Sequence, residues 1–152
     1  MTAKANTTDI GSIEEYTSFA LSKSGNGLSL LIEDCKTCGK AIQEGTADTK
    51  EINNLYSIMN RLNAFEKFEK DVILMFQLDR HEFKDKTGSY TEAIEKLIAA
   101  MNESCSLLEK SDLNGLSKLL TESLPRSLSR MKSFIPVLKK HIDKVYITND
   151  AK

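Results

Sequence analysis

Cys35-Lys-Thr-Cys38 is the place in this chain where two reactive side chains stand at a spacing that chemistry uses. A redox C-x-x-C sets its first thiol at a helix N-terminus, where the helix dipole lowers the thiol pKa. A zinc half-site of the same form needs two further ligands. Here the pair falls inside a helical apolar pattern with Leu31 and Ile42, and Glu33 and Asp34 just upstream disfavour a thiolate. Only Cys105, His81 and His141 remain as partners, and no second C-x-x-C exists. The pair therefore reads as small core residues, with a thiol-based redox or metal-binding protein as the competing reading. His81-Glu82 does not extend to H-E-x-x-H, because position 85 is Asp, and no Glu-x-x-His occurs. Cys38-Gly39-Lys40 lacks the glycines of a phosphate loop. Two histidines with no sequence-local partner offer no triad. The expectation is a non-enzymatic protein with no catalytic residue, cofactor, bound metal or small-molecule substrate.

The elements that hold these residues follow from apolar periodicity and caps. Ser12 with Glu15 opens a short helix carrying Ile13, Tyr16, Phe19 and Ala20, and Ser22–Gly27 breaks it. A second helix carries Leu28, Leu31, Cys35, Cys38 and Ile42 and ends before Gly45. Asp48 with Glu51 opens a long third helix through Ile52, Leu55, Met59, Leu62, Phe65, Phe68, Val72 and Phe76, ending near Asp79. Residues 79–89 form a polar connection. Ser89 with Glu92 opens the next helix, bearing Ile94, Leu97, Met101, Cys105 and Leu108. Asp112 caps the last, from Leu113 through Leu116, Leu120, Leu124, Leu128, Met131, Ile135, Leu138, Ile142 and Val145. Pro125 and Pro136 interrupt it, since an interior proline removes a hydrogen bond and kinks a helix.

The pattern of helix, turn, cap and returning helix occurs twice. It predicts an all-α, antiparallel bundle of four long helices in two hairpins, plus a short N-terminal helix, with the last helix kinked at Pro125 and Pro136. Residues 12–147 are expected to form a single domain, with residues 1–11 and 148–152 as disordered tails. The expected core includes Leu31, Ile42, Leu55, Met59, Leu62, Leu97, Met101, Leu116 and Leu120, with all three cysteines buried and reduced.

In 152 residues, 21 Lys and Arg stand against 22 Asp and Glu, which argues against a nucleic-acid or membrane-surface bias. The first ten residues lack an apolar signal core. The longest apolar run, Val72 to Phe76, is far short of the ~20 residues of a membrane span. An odd cysteine count without framework spacing suits a reducing, cytoplasmic compartment.

Two features point to partners. Leu74 and Leu78 fall roughly opposite Val72 and Phe76, so the long helix is apolar on two faces and must be covered twice. The cover is the short first helix, through Ile13, Tyr16 and Phe19, or another chain. From Ser123 to Ile147 six basic residues, Arg126, Arg130, Lys132, Lys139, Lys140 and Lys144, face one acid, Asp143. That segment carries +5 and leaves −6 for the rest. It lies against an acidic bundle or docks an acidic partner. Phe134 and Tyr146 sit among these charges without a nucleic-acid-binding pattern. A protein partner or self-association is expected, with no nucleic acid.

The stretches Leu31-Ile-Glu-Asp-Cys-Lys-Thr-Cys-Gly-Lys-Ala-Ile-Gln-Glu-Gly45 and Leu108-Glu-Lys-Ser-Asp-Leu-Asn-Gly-Leu-Ser-Lys-Leu-Leu120 resemble bacterial helical-bundle proteins of the flagellin export chaperone type. The first is similar to that family's passage of helix, Ala-Ile, glycine and capped helix. The second, followed by Leu124-Pro125, resembles bacterial hairpin proteins of the same general shape. The family's shorter charged loops and tyrosine-rich N-terminus are absent, and no binding residue carries over. The resemblance implies a chaperone-like bundle that holds a partner's helix along an apolar groove, which an N-terminal segment fills when the partner is away.

Overall fold

Helix starts and stops are set by local hydrogen bonds that the sequence supplies. In a computed structural model, which describes residues 12–45 and 49–147, Ser12 Oγ accepts from Glu15 N, Ser89 Oγ from Glu92 N, and Asp112 Oδ1 from Gly115 N. These caps open helix α1 (Ile13–Gln43), helix α3 (Tyr90–Glu109) and helix α4 (Leu113–Lys118). Helix α2 spans Thr49–Met75; the expected Asp48 cap lies outside the described residues, as do the tails at 1–11 and 148–152. Left-handed residues end three of the helices: Gly45 (φ 72°), Gln77 (φ 51°) and Ser111 (φ 54°). Leu78 N donates to Ile73 O and Gln77 N to Leu74 O, a Schellman closure that stops α2 at Met75, short of Asp79.

The fold is all-α apart from one small hairpin, but its first element differs from expectation. No break occurs at Ser22–Gly27: α1 runs continuously for 31 residues, so the expected separate N-terminal helix is the first part of α1. Leu21, Leu28 and Cys35, spaced by sevens, continue one buried stripe through both glycines. Each helical glycine costs ~1 kcal/mol relative to alanine, less than the ~1.5–3 kcal/mol gained by burying one leucine. That stripe fixes the phase of the helix. Thr17, Ser18 and Leu21 turn inward, and Ile13, Tyr16 and Phe19 turn outward.

The C-terminal helical rod runs through both prolines. α4 passes through a π-helical turn, Leu119–Ser123, into helix α5 (Leu124–Ile142), which holds Pro136, and a second π turn, Asp143–Ile147. The first wide turn directly precedes Pro125, whose ring crowds the preceding carbonyls and whose nitrogen cannot donate. Leu124 N–H reaches back to Leu119 O there.

α1 packs along α5 and also touches α2 and α4, while α3 packs on α5. At the α1–α4 crossing Ser117 Oγ donates to Gly39 O at 2.7 Å. The shared core contains Leu31, Leu55, Leu62, Leu97, Met101, Leu116 and Leu120; Ile42 and Met59 are half-buried, and Ile58 takes the central place instead. Ile52, Leu108, Leu113 and Val145, expected on inward stripes, are exposed. Cys105 is also exposed, against expectation. Ser104 occupies the inward position and donates to Met101 O at 2.7 Å, which turns Cys105 away.

The polar connection contains a β-hairpin, strands β1 (Lys84–Asp85) and β2 (Gly88–Ser89), after a 3₁₀ turn at Arg80–Glu82. Asp85 Oδ1 accepts from both Thr87 N and Thr87 Oγ1, holding the two-residue loop. Phe83 anchors the segment, edge-on to Tyr90 at 6.1 Å and to His141 at 5.4 Å.

Candidate functional site

An apolar groove runs along the seam between the first half of α1 and the second half of α2. Its floor is Leu28, Leu31, Phe65 and half-buried Phe68, and its volume is about 510 Å³. Tyr16 and Phe19 form one wall and remain 55% and 60% exposed. Ala64 and Arg61 form the other. Gly27 opens the groove, since a Cβ there would meet nothing within 4 Å. Met75, seven residues beyond Phe68 on the same side of α2, is 51% exposed.

The rim of the groove is basic. Lys23 Nζ lies 5.3 Å from the centre of the Phe19 ring, a cation–π contact. Arg61 Nη2 donates to Asp34 Oδ2 at 2.6 Å, and Arg61 Nε is buried without an acceptor among the described residues.

The structure brings some predicted residues together and separates others. Tyr16 and Phe19 line the same groove as Phe65 and Phe68, not Leu74 or Leu78. Leu74 is 79% exposed beside Lys70 and Arg80, so the N-terminal segment does not bury it. Leu78 is half-buried against the core because the Schellman turn redirects it. Ile13 is exposed. On the basic segment, Arg130 pairs with Asp85 through two contacts at 2.5 and 2.6 Å. Lys139 pairs with Asp143 at 3.0 Å, and Ser18 Oγ donates to the same carboxylate at 2.6 Å. Arg126, Lys140 and Lys144 are exposed and make no ion pair among the described residues. The segment is thus partly neutralised by its own fold. Tyr146 lies outside the described side chains.

The thiols of the C-x-x-C are fully buried. Desolvation, with Cys38 adding to it, pushes the Cys35 thiol up to about 12, and burial likewise raises that of Cys38. Cys38 Sγ lies 3.6 Å from Glu51 O. Among the described residues no three His, Cys, Asp or Glu side chains gather as a metal-ligand set.

One polar cluster escaped the sequence reading. Glu69, 4% exposed, accepts from Arg80 Nε and Nη2 at 2.8 Å each and from Tyr90 Oη at 2.9 Å. Desolvation and the adjacent carboxylate drive the Tyr90 pKa well above its ordinary value, so it stays a donor. Tyr90 in turn stands edge-on to Phe134 at 5.3 Å, and Arg130 lies 4.5 Å over the Phe134 ring. Glu69 and Tyr90 are buried with their polar atoms paired, while the Arg80 side chain is a third exposed. The cluster's chemistry is that of a structural clasp joining α2, the hairpin connection and α3.

No family model, no curated protein and no solved structure matches this chain. No helix among the described residues is long and apolar enough to cross a membrane.

Proposed function

We propose that this protein is a non-enzymatic interaction protein that holds an amphipathic helix of a protein partner in the α1–α2 groove. The observation that carries the reading is the exposed aromatic wall of Tyr16 and Phe19 beside a floor of Leu28, Leu31, Phe65 and Phe68. A groove between two helices accepts a third helix through its i, i+3, i+4 and i+7 side chains. Lys23 and Arg61 on the rim favour acidic residues flanking the partner's apolar stripe. The chaperone-like form of this reading, after the flagellin export chaperone resemblance, has the partner delivered elsewhere after capture. It takes the helices as two antiparallel hairpins of one bundle, with bends in the last helix at Pro125 and Pro136. Self-association through the same groove is its homotypic form. The buried, high-pKa thiols give the redox and metal alternative no supporting geometry.

The test is site-specific photo-crosslinking in the source cell. A benzophenone side chain replaces Phe19 in one variant and exposed Lys132 in another. A discrete adduct from position 19 that is absent from position 132 supports the reading. Equal adduct patterns from both positions would refute it.

A further inference from the structure

We propose that the pocket between the β-hairpin and α5 binds the phosphate group of a small hydroxylated molecule, of the size of a sugar phosphate or mononucleotide. The pocket encloses about 460 Å³, within the range that small ligands fill. It is separate from the helix-binding groove, so neither proposal depends on the other.

Lys96, Arg126 and Arg130 bring three positive charges to the pocket's walls. Arg130 is held in place by Asp85 and by the Phe134 ring, and Asp85 is itself fixed by Thr87. That arrangement is a preorganised wall in which Arg130 keeps direction but spends most of its charge. Arg126 and Lys96 make no hydrogen bond or ion pair among the described residues, and neither do the hydroxyls of Ser127 and Ser129. Two uncommitted cations and two uncommitted hydroxyls around one cavity match the acceptor-rich surface of a phosphate, which takes charge-assisted hydrogen bonds from several sides. Glu92 also lines the pocket, and its carboxylate approaches Gly88 closely enough to stand 3.3 Å from a Cβ built there. It repels a bare anion but accepts from sugar hydroxyls. The three cations against Asp85 and Glu92 leave the site at +1. A positive site attracts an anion, and Glu92 adds an acceptor for the hydroxyls of a phosphorylated polyol.

The experiment is an amide-resolved NMR titration of the full-length protein at constant ionic strength. The probes are glucose 6-phosphate, inorganic phosphate, glucose, sulfate and a phosphoserine peptide. The expected result is saturable shifts confined to residues 87–96 and 126–133, with the sugar phosphate binding more tightly than inorganic phosphate, sulfate or glucose. Arg126→Ala and Lys96→Ala each weaken it about tenfold, the loss of one charge-assisted contact, and exposed Lys140→Ala leaves it unchanged. Affinity rises between pH 5.5 and 7.5 as the phosphate passes its second pKa of about 6. Sulfate or glucose reproducing the shifts at equal affinity, retention of binding when Lys96→Ala and Arg126→Ala are combined, or no saturation at tens of millimolar would each overturn the proposal. Tighter binding of the phosphoserine peptide would overturn the small-molecule assignment.

Discussion

Replacing Gly39 and Gly27 by alanine should change stability in opposite directions, although both lie inside the same helix. A Cβ at Gly39 would stand 2.7 Å from Thr121 Cγ2, 2.9 Å from Leu120 Cβ and 3.0 Å from Ser117 O. Two of those three atoms are not free ends of flexible side chains, so α1 and α4 must separate. Overpacking of this kind costs ~1–3 kcal/mol. Separation also stretches the 2.7 Å bond from Ser117 Oγ to Gly39 O, whose loss costs ~1 kcal/mol. Alanine's better helix propensity returns ~1 kcal/mol. The net for Gly39→Ala is destabilisation of ~1–3 kcal/mol. At Gly27 a Cβ meets nothing within 4 Å, so only the propensity remains and Gly27→Ala stabilises by ~0.5–1 kcal/mol. Urea unfolding followed by circular dichroism measures both, with an unchanged slope required for the comparison. If Gly39→Ala stabilises as much as Gly27→Ala, the close α1–α4 crossing does not exist. If Gly27→Ala destabilises, the continuous helix through Ser22–Gly27 is wrong.

Other expectations come from the buried groups. In native protein a thiol reagent should modify Cys105 rapidly and Cys35 and Cys38 only after unfolding; fast labelling at Cys35 would contradict its burial. The Cys35 thiol titrates near 9 when unfolded and near 12 when folded, so the unfolded chain loses its proton first. Its contribution is complete below pH ~9 and falls as pH rises towards 12, which Cys35→Ala should remove from a pH–stability curve. Arg80→Met should cost about 2–4 kcal/mol in urea unfolding, because it leaves Glu69 buried with one partner fewer while Arg80 itself is a third exposed. Asp85 has its carboxyl held well below the usual range by Arg130, so its contribution is present above pH ~4 and is lost as pH falls. An Asp85→Asn variant with the same acid-side slope as wild type would remove that assignment.

Much of the helical content is legible in the residue pattern, and the errors have identifiable causes. Ser12, Ser89 and Asp112 work as caps because each is a short acceptor placed three residues before an N–H that needs one. The glycines of Ser22–Gly27 signal a break, but the seven-residue repeat of Leu21, Leu28 and Cys35 crosses the segment and carries the helix through it. Once the helix is continuous, its phase is fixed by that repeat, and Tyr16 and Phe19 necessarily move to the outside. The groove was therefore hidden by a single wrong boundary. Cys105 stands four residues after Met101, a spacing that puts it on the inward stripe, yet Ser104 satisfies its hydroxyl on Met101 O and takes the inward place. The hairpin has two-residue strands, too short for any periodicity to register. The anion pocket draws residues from 87–96 and 126–133, and nothing in a linear pattern brings those together.

Glu69 carries the most instructive signal. It stands four residues after Phe65 and three before Val72, squarely on the apolar stripe of α2. A carboxylate there is affordable only with complete hydrogen bonding, and the fold supplies three donors from Arg80 and Tyr90. An acid on an apolar stripe thus predicts a basic residue and a hydroxyl near the helix end, and Arg80 and Tyr90 were available in sequence. A few residues away the same helix leaves Leu74 79% exposed, and across the seam α1 leaves Phe19 60% exposed. Each such side chain forgoes part of the ~1.5–3 kcal/mol that burial provides. A fold that meets every demand of one buried carboxylate yet leaves an aromatic wall open beside it is not short of packing solutions. The open groove is the feature that a partner helix would complete, and Phe19→Asp, which adds charge to an exposed wall without touching the core, should leave folding intact while abolishing that association. Loss of folded structure in Phe19→Asp would instead make Phe19 a packing residue and remove the groove from consideration.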